Sequence, residues 1–148
     1  MDLDSLNFPL FQKRFRLLQD PLPGPVTFAE KVKAVDGIVM VSPEYNGGYP
    51  ASLKNAIDVL YDEWKRKPIG LCTVSAGAFA GMNLITSLQF VLWKIGAIVV
   101  PAMFPVANEQ NSFDENGIAS DQPGTDKRAA TFLAELSWHM EAAEKMRS

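Results

Sequence analysis

Residues 37–60 read GIVMVSPEYNGGYPASLKNAIDVL, and this stretch decides the fold. Gly37 to Ser42 is an apolar run bounded by turn signals, which predicts a strand buried on both faces. A loop follows, SPEYNGGYP, and Pro50 suits the first turn of a helix. Leu53, Ala56, Ile57 and Leu60 then recur at the spacing of one helical face.

Working outward, the same alternation repeats. Pro68 to Ser75 reads as a second buried strand, followed by the small-residue loop AGAFAG. Met82 to Ile95 reads as a helix stopped by Gly96, and Ala97 to Pro101 as a third strand. That helix is apolar nearly all round, which predicts deep burial or a subunit contact, hence a homo-oligomer. Asn108 to Gly124 is polar with turn signals and reads as a long excursion. Asp126 to Met146 reads as a final helix. On the N-terminal side, the prolines at 21, 23 and 25 make residues 1–25 irregular, and the capping-box spacing of Thr27 and Glu30 places a short helix over Phe28 to Val35. Buried strands alternating with amphipathic helices predict an α/β fold, a parallel sheet with helices on both sides.

Composition narrows the function. The chain has 148 residues, which suits one domain. Fourteen basic against seventeen acidic residues disfavour a general polyanion-binding protein. One cysteine and one histidine exclude an internal disulfide and argue against a Cys/His zinc site, so no metal is expected. The N-terminus has no secretory pattern and no apolar run spans a bilayer, so a cytoplasmic protein is expected. No P-loop, G-x-G-x-x-G or G-x-S-x-G is present. His139 and Cys72 read as structural residues, and no side-chain nucleophile stands out.

Ligands of an open parallel sheet bind at the carboxyl ends of the strands. Two loops leave strands there, Ser42 to Pro50 and Ser75 to Gly81. Their glycines permit close approach of a flat ligand, Tyr45, Tyr49 and Phe79 offer aromatic surface, and Asn46 and the backbone offer directional hydrogen bonds. A planar, polar-edged heterocycle suits such a pair, and plain connecting loops are the alternative. Glu44 reads as a solvated carboxylate, and Lys54, Asn55 and Asp58 as a polar helix face or subunit contact.

Pro43-Glu44-Tyr45-Asn46-Gly47, Pro50 and Leu53-Lys54-Asn55-Ala56-Ile57-Asp58 resemble the signature of the NADPH-dependent FMN reductase family, flavodoxin-like enzymes that include quinone, azo and chromate reductases. LCTVSAGAFAGM is similar to the family's second flavin loop, and Phe113-Asp114-Glu115-Asn116-Gly117 to its late FD-x-x-G excursion. The resemblance implies a flavodoxin-like three-layer sandwich. It implies FMN lined by Pro43, Glu44, Tyr45, Asn46 and Gly47 and contacted by Ser75, Ala76 and Gly77. It implies hydride passage from NADPH or NADH through the flavin to a small acceptor such as a quinone, free flavin, azo compound or metal ion. A homodimer or homotetramer and no nucleic-acid or membrane partner go with it. One departure stands out. The family begins with a strand, a G-S-x-R-x-x-S-like phosphate loop and a helix, and nothing of that kind precedes MDLDSLNFPLF. By the resemblance, residues 1–148 are one domain incomplete at its N-terminus, and the 37–42 strand is an exposed edge. A non-catalytic oligomerisation or regulatory relative is the rival reading. A flavodoxin-like electron carrier is the third, disfavoured by a charge of only -3.

Overall fold

The computed structural model describes residues 1–6 and 8–147. Three strands, β1 (Ile38–Pro43), β2 (Pro68–Val74) and β3 (Ile98–Val106), form a parallel sheet in the order β1-β2-β3. The helices are α1 (Pro23–Ala34), α2 (Ala51–Val59), α3 (Met82–Lys94), the single turn α4 (Glu109–Ser112) and α5 (Gln122–Lys145). Short 3-10 turns at Asp4–Leu6, Phe15–Leu17 and Asp62–Trp64 fill the connections.

Side-chain alternation along the strands separates two layers. Met40 and Leu71 point into the main core with Phe28 and Val32 of α1, Leu53, Ala56 and Ile57 of α2, and Leu84, Ile85, Leu88 and Leu92 of α3. On the opposite face Gly70 lies under α5, where an added Cβ would sit 2.6 Å from the Phe132 ring. That close approach is what lets a long helix lie flat on the middle strand. The result is three layers, α1 to α3, sheet, and α5.

Five expectations change. The strand over 37–42 is not buried on both faces: Val39 is 42% and Val41 62% exposed. β1 is an edge strand, as the resemblance implied, and α5 packs on β2 and β3. α1 starts at Pro23, not Phe28, and Thr27 lies inside it. Pro23 and Pro25 fall in the first turn, where a missing N–H costs nothing, and Val26 N–H donates the first bond to the Leu22 carbonyl. β3 runs on through Pro101 to Val106, which an edge strand permits because half its backbone faces away from the ladder. α5 starts at Gln122, so Pro123 and Gly124 are helical and Asp121 is the cap, accepting from Gly124 N–H at 3.0 Å. The excursion shrinks to α4 and one antiparallel bridge, Phe113 to Ala119.

Lys67 is buried at the start of β2, its ammonium donating to the Val35 carbonyl. Burial pushes its pKa down, helped by Arg147, against a smaller opposing pull from Asp36. The unfolded chain therefore holds this proton more tightly, so the residue's contribution to stability rises as pH climbs from the lowered folded value toward the ordinary lysine range. Lys67→Met removes the titration. The stability difference between Lys67→Met and wild type should move in favour of wild type between pH 7 and 10.5, measured by urea unfolding at each pH. A difference independent of pH would overturn the assignment.

Candidate functional site

The parallel register brings the two loops to one level. Ser42 pairs with Thr73 and Pro43 with Val74, and Glu44 N–H continues the ladder to the Val74 carbonyl at 2.9 Å. Pro43, Glu44, Tyr45, Asn46 and Gly47 then leave β1 beside Ser75, Ala76 and Gly77 leaving β2.

The first loop is a tight reversal. Tyr45 N–H donates to the Gly48 carbonyl at 2.8 Å and Gly48 N–H returns to the Tyr45 carbonyl at 3.0 Å. Asn46 and Gly47 between them both have positive φ, 51° and 78°, the pattern that Asn-Gly adopts most readily. An added Cβ on Gly47 would come 4.0 Å from Asn83 Nδ2, so the turn reaches toward the start of α3.

The second loop is pinned at both ends. Ser75 N–H donates to the Val106 carbonyl at 3.0 Å, and Ser75 Oγ to the Gly77 carbonyl at 3.0 Å. Buried Thr73 sends its Oγ1 hydroxyl to the Ala80 carbonyl at 2.6 Å. Gly81 caps α3 with φ of 78°, and an added Cβ there would lie 3.0 Å from Thr73 Cβ and 3.4 Å from Glu44 Oε2. Glu44 thus belongs at the junction of the two loops rather than in free solvent.

Between these anchors the tips are open. The N–H groups of Asn46, Gly47, Ala76, Gly77 and Ala78 have no acceptor among the described residues. An added Cβ on Gly77 would meet nothing within 4 Å. Tyr45 and Phe79 are exposed, whereas Tyr49 is partly buried against the core. The loops at 43–50 and 75–81 contain no Lys or Arg.

A third loop joins them that the sequence reading passed over. Asn108 N–H donates to the Gly77 carbonyl at 3.4 Å and Glu109 N–H to the Ser75 carbonyl at 3.3 Å. Asn108 has φ of 45°, and Glu109 Oε2 is buried with no hydrogen-bond partner. The signal was available: residues that follow a third parallel strand lie at the same end of the sheet as those following the first two. They were hidden by placing the strand's end at Pro101.

Other singled-out residues have structural roles. Asn55 accepts from Phe11 N–H at 2.7 Å and donates to the Pro9 carbonyl at 2.9 Å, tying the N-terminal segment to α2. Lys54 and Asp58 form an ion pair one helical turn apart. Asp114 Oδ1 accepts from Asn116 and Ile118 N–H, which shapes the FD-x-x-G turn. His139 Nδ1 lies 2.9 Å from the Glu135 carbonyl on its own helix. Cys72 is half-buried, and burial pushes its thiol pKa up, away from reactivity. No group of three or more potential metal ligands occurs among the described residues. Among the described residues no helix is long and apolar enough to cross a membrane.

Comparison with known proteins agrees with this geometry. The model of the family described as NADPH-dependent FMN reductase matches residues 1–111. An NAD(P)H-dependent FMN reductase of Schizosaccharomyces pombe is 45% identical over 76 residues, covering 51% of this chain and 37% of that protein. One from Saccharomyces cerevisiae is 39% identical over 100 residues, covering 62% and 51%. The chain thus spans about half or less of the length of these curated relatives. A flavoenzyme NAD(P)H:(acceptor) oxidoreductase of Paracoccus denitrificans superposes with a TM-score of 0.74 at 21% identity, covering 94% of this chain and 86% of that one. That likeness establishes the flavodoxin-like α/β fold, and the matched family model establishes the lineage: the chain belongs to the NADPH-dependent FMN reductase family.

Proposed function

We propose that this chain is an FMN-dependent NAD(P)H oxidoreductase that uses the loops at 43–47 and 75–77 to hold the flavin ring. The observation that carries the reading is the open donor set at the loop tips. Asn46, Gly47, Ala76 and Gly77 present N–H groups with no acceptor among the described residues, on loops fixed from behind by Thr73, Glu44 and Gly81. Such donors suit the carbonyl-bearing edge of a flat heterocycle. The orphaned Glu109 Oε2 beside them suits a ligand N–H or O–H.

The bound flavin supplies hydride transfer from NADPH or NADH to a small acceptor, a quinone, free flavin, azo compound or metal ion. The chain's part is to bind, orient and shield. Pro43, Glu44, Tyr45, Asn46 and Gly47 set one wall, and Ser75, Ala76 and Gly77 the other. A cytoplasmic setting suits the unpaired Cys72.

The test is a titration of the full chain by protein fluorescence, run in parallel with FMN and riboflavin, followed by an NADPH oxidation assay. Saturable binding of both is expected. Because the two loops lack cationic side chains, the phosphate has no charge-assisted partner there, and the two dissociation constants should agree within about threefold. No binding by a folded chain would overturn the reading.

A second reading, a non-catalytic oligomerisation or regulatory protein, draws on α3. Its inner face is buried, but Met82, Phe90 and Trp93 are exposed, and the Phe90 and Trp93 rings lie 6.0 Å apart. We propose a homodimer or homotetramer through this face under either reading. Light scattering should give a dimer or larger for wild type and a monomer for the Phe90→Glu, Trp93→Glu double variant. A monomeric wild type would remove the proposal.

A further inference from the structure

We propose that the cavity between the end of β3 and the start of α5 binds a small aliphatic α-amino acid, its carboxylate on Arg128 and its ammonium on Asp121. The cavity holds about 270 Å³, and Val106, Asn108, Phe113, Asp121, Thr125 and Arg128 line it. No residue of the loops at 43–50 or 75–81 does, and β3 lies at the opposite edge of the sheet from β1. Asn108 stands between this cavity and the second loop, its N–H donating to the Gly77 carbonyl at 3.4 Å.

Asp121, Thr125 and Arg128 are spaced i, i+4 and i+7, so they share one face of α5. The Arg128 guanidinium is held from two sides. It lies 5.4 Å from the centre of the Phe104 ring, and one N–H donates to Thr125 Oγ1 at 3.3 Å. It has no ion-pair partner among the described residues. A guanidinium fixed in a cavity wall with N–H groups to spare suits a carboxylate. The Thr125 hydroxyl accepts from Arg128 and has its own proton to donate to the same carboxylate.

Asp121 supplies the opposite charge. Its Oδ1 accepts from Gly124 N–H at 3.0 Å, which fixes the side chain and leaves lone pairs for an ammonium. Because Asp121 caps α5, the site draws its charge from two side chains and not from the helix terminus. The bond to Thr125 draws the guanidinium back along the helix, and Thr125 and Asp121 are about 6 Å apart along the axis. An α-amino acid spans a gap of that order, because its two charged groups share one carbon and a hydrogen bond of ~3 Å at each end supplies the rest. Val106 and Phe113 give its side chain apolar surface. A plain acid or a plain amine leaves one of the two protein charges unmatched, so the cavity discriminates against both.

The probes are L-valine, 3-methylbutanoate, which lacks the ammonium, and isobutylamine, which lacks the carboxylate. Each is titrated to about 10 mM into the full chain without FMN, following amide chemical shifts by NMR. Valine should saturate with shifts at Asn108, Asp121 and Thr125, and the other two should bind about tenfold or more weakly. Asp121→Asn removes the charge but keeps a capping residue, and should weaken valine about threefold or more without weakening 3-methylbutanoate. Arg128→Gln, at an exposed position, should weaken valine about tenfold or more without weakening isobutylamine. A merely structural role for either residue would lower all three affinities together. Three results would overturn the proposal: no saturation by valine, 3-methylbutanoate binding to wild type as tightly as valine, or a valine affinity that neither variant changes. None of them bears on the FMN titration, which reads the other loops.

Discussion

Trp64→Ala should lower the unfolding free energy by about 3–5 kcal/mol, the largest stability loss expected from a single truncation in this chain. Trp64 is 2% exposed although it sits in a 3-10 turn outside any long element. Its indole N–H donates to the Ile57 carbonyl at 3.0 Å near the end of α2. Its ring meets Phe28 of α1 edge-on at 5.9 Å, and Phe28 meets Phe8 at 5.2 Å. One side chain thus joins α1, α2 and the N-terminal segment. Truncation leaves a cavity in the core and orphans the Ile57 carbonyl. At this chain length the loss corresponds to a fall in Tm of roughly 8–15 °C. Trp64→Phe keeps the edge-to-face contact and loses the hydrogen bond, so about 1–2 kcal/mol is expected. Urea unfolding of the three proteins checks both values. A Trp64→Ala loss below about 1 kcal/mol would show that the turn does not organise this end of the core.

Much of this architecture was legible in residues 37–60 because the physics there is local. A six-residue apolar run, a loop and a helical periodicity are each readable within a few residues, and parallel topology then puts both glycine-rich loops at one end of the sheet. The misreadings have a common cause in neighbours that sequence does not reveal. Pro101 reads as a strand stop, but β3 is an edge and its outward backbone needs no donor. Pro23 reads as a breaker, but in a first turn its missing N–H is one that no helical carbonyl would receive. Val39 and Val41 read as core from the apolar run, yet both are exposed. In each case the residue chemistry was right and its surroundings were not. Glu109 was missed for the same reason: its place beside Ser75 follows only once β3 is allowed to run to Val106. Trp64 illustrates the converse, a core residue that no periodicity marks.

Gly81→Val should separate stability from ligand binding most clearly. Gly81 is the point where the two loops proposed to hold the flavin meet α3. Its φ of 78° is a region that β-branched residues avoid, and the added Cβ would lie 3.0 Å from Thr73 Cβ and 3.2 Å from Thr73 Oγ1. Left-handed strain and overpacking each cost about 1–3 kcal/mol, so a total near 3 kcal/mol is expected. The relief available is local. Thr73 must release the Ala80 carbonyl, or Gly81 must turn and carry the second loop and the start of α3 with it. Glu44 Oε2 lies 3.4 Å from the added Cβ, so the further methyls of valine also crowd the Glu44 side chain of the first loop. FMN affinity should therefore fall about tenfold or more even at a temperature where the variant is fully folded, because the donor N–H groups of Ala76 and Gly77 move off their positions. Thr73→Val removes the hydroxyl bond while keeping the shape, and isolates that bond's share at about 1 kcal/mol of stability with a smaller loss of affinity. The decisive pair of measurements is urea unfolding and the FMN titration on the same samples. A destabilised Gly81→Val that binds FMN as tightly as wild type would place the flavin away from the junction of these loops. An unchanged stability would mean that the left-handed cap is not required, and the rigid backing ascribed to both loops would fall with it.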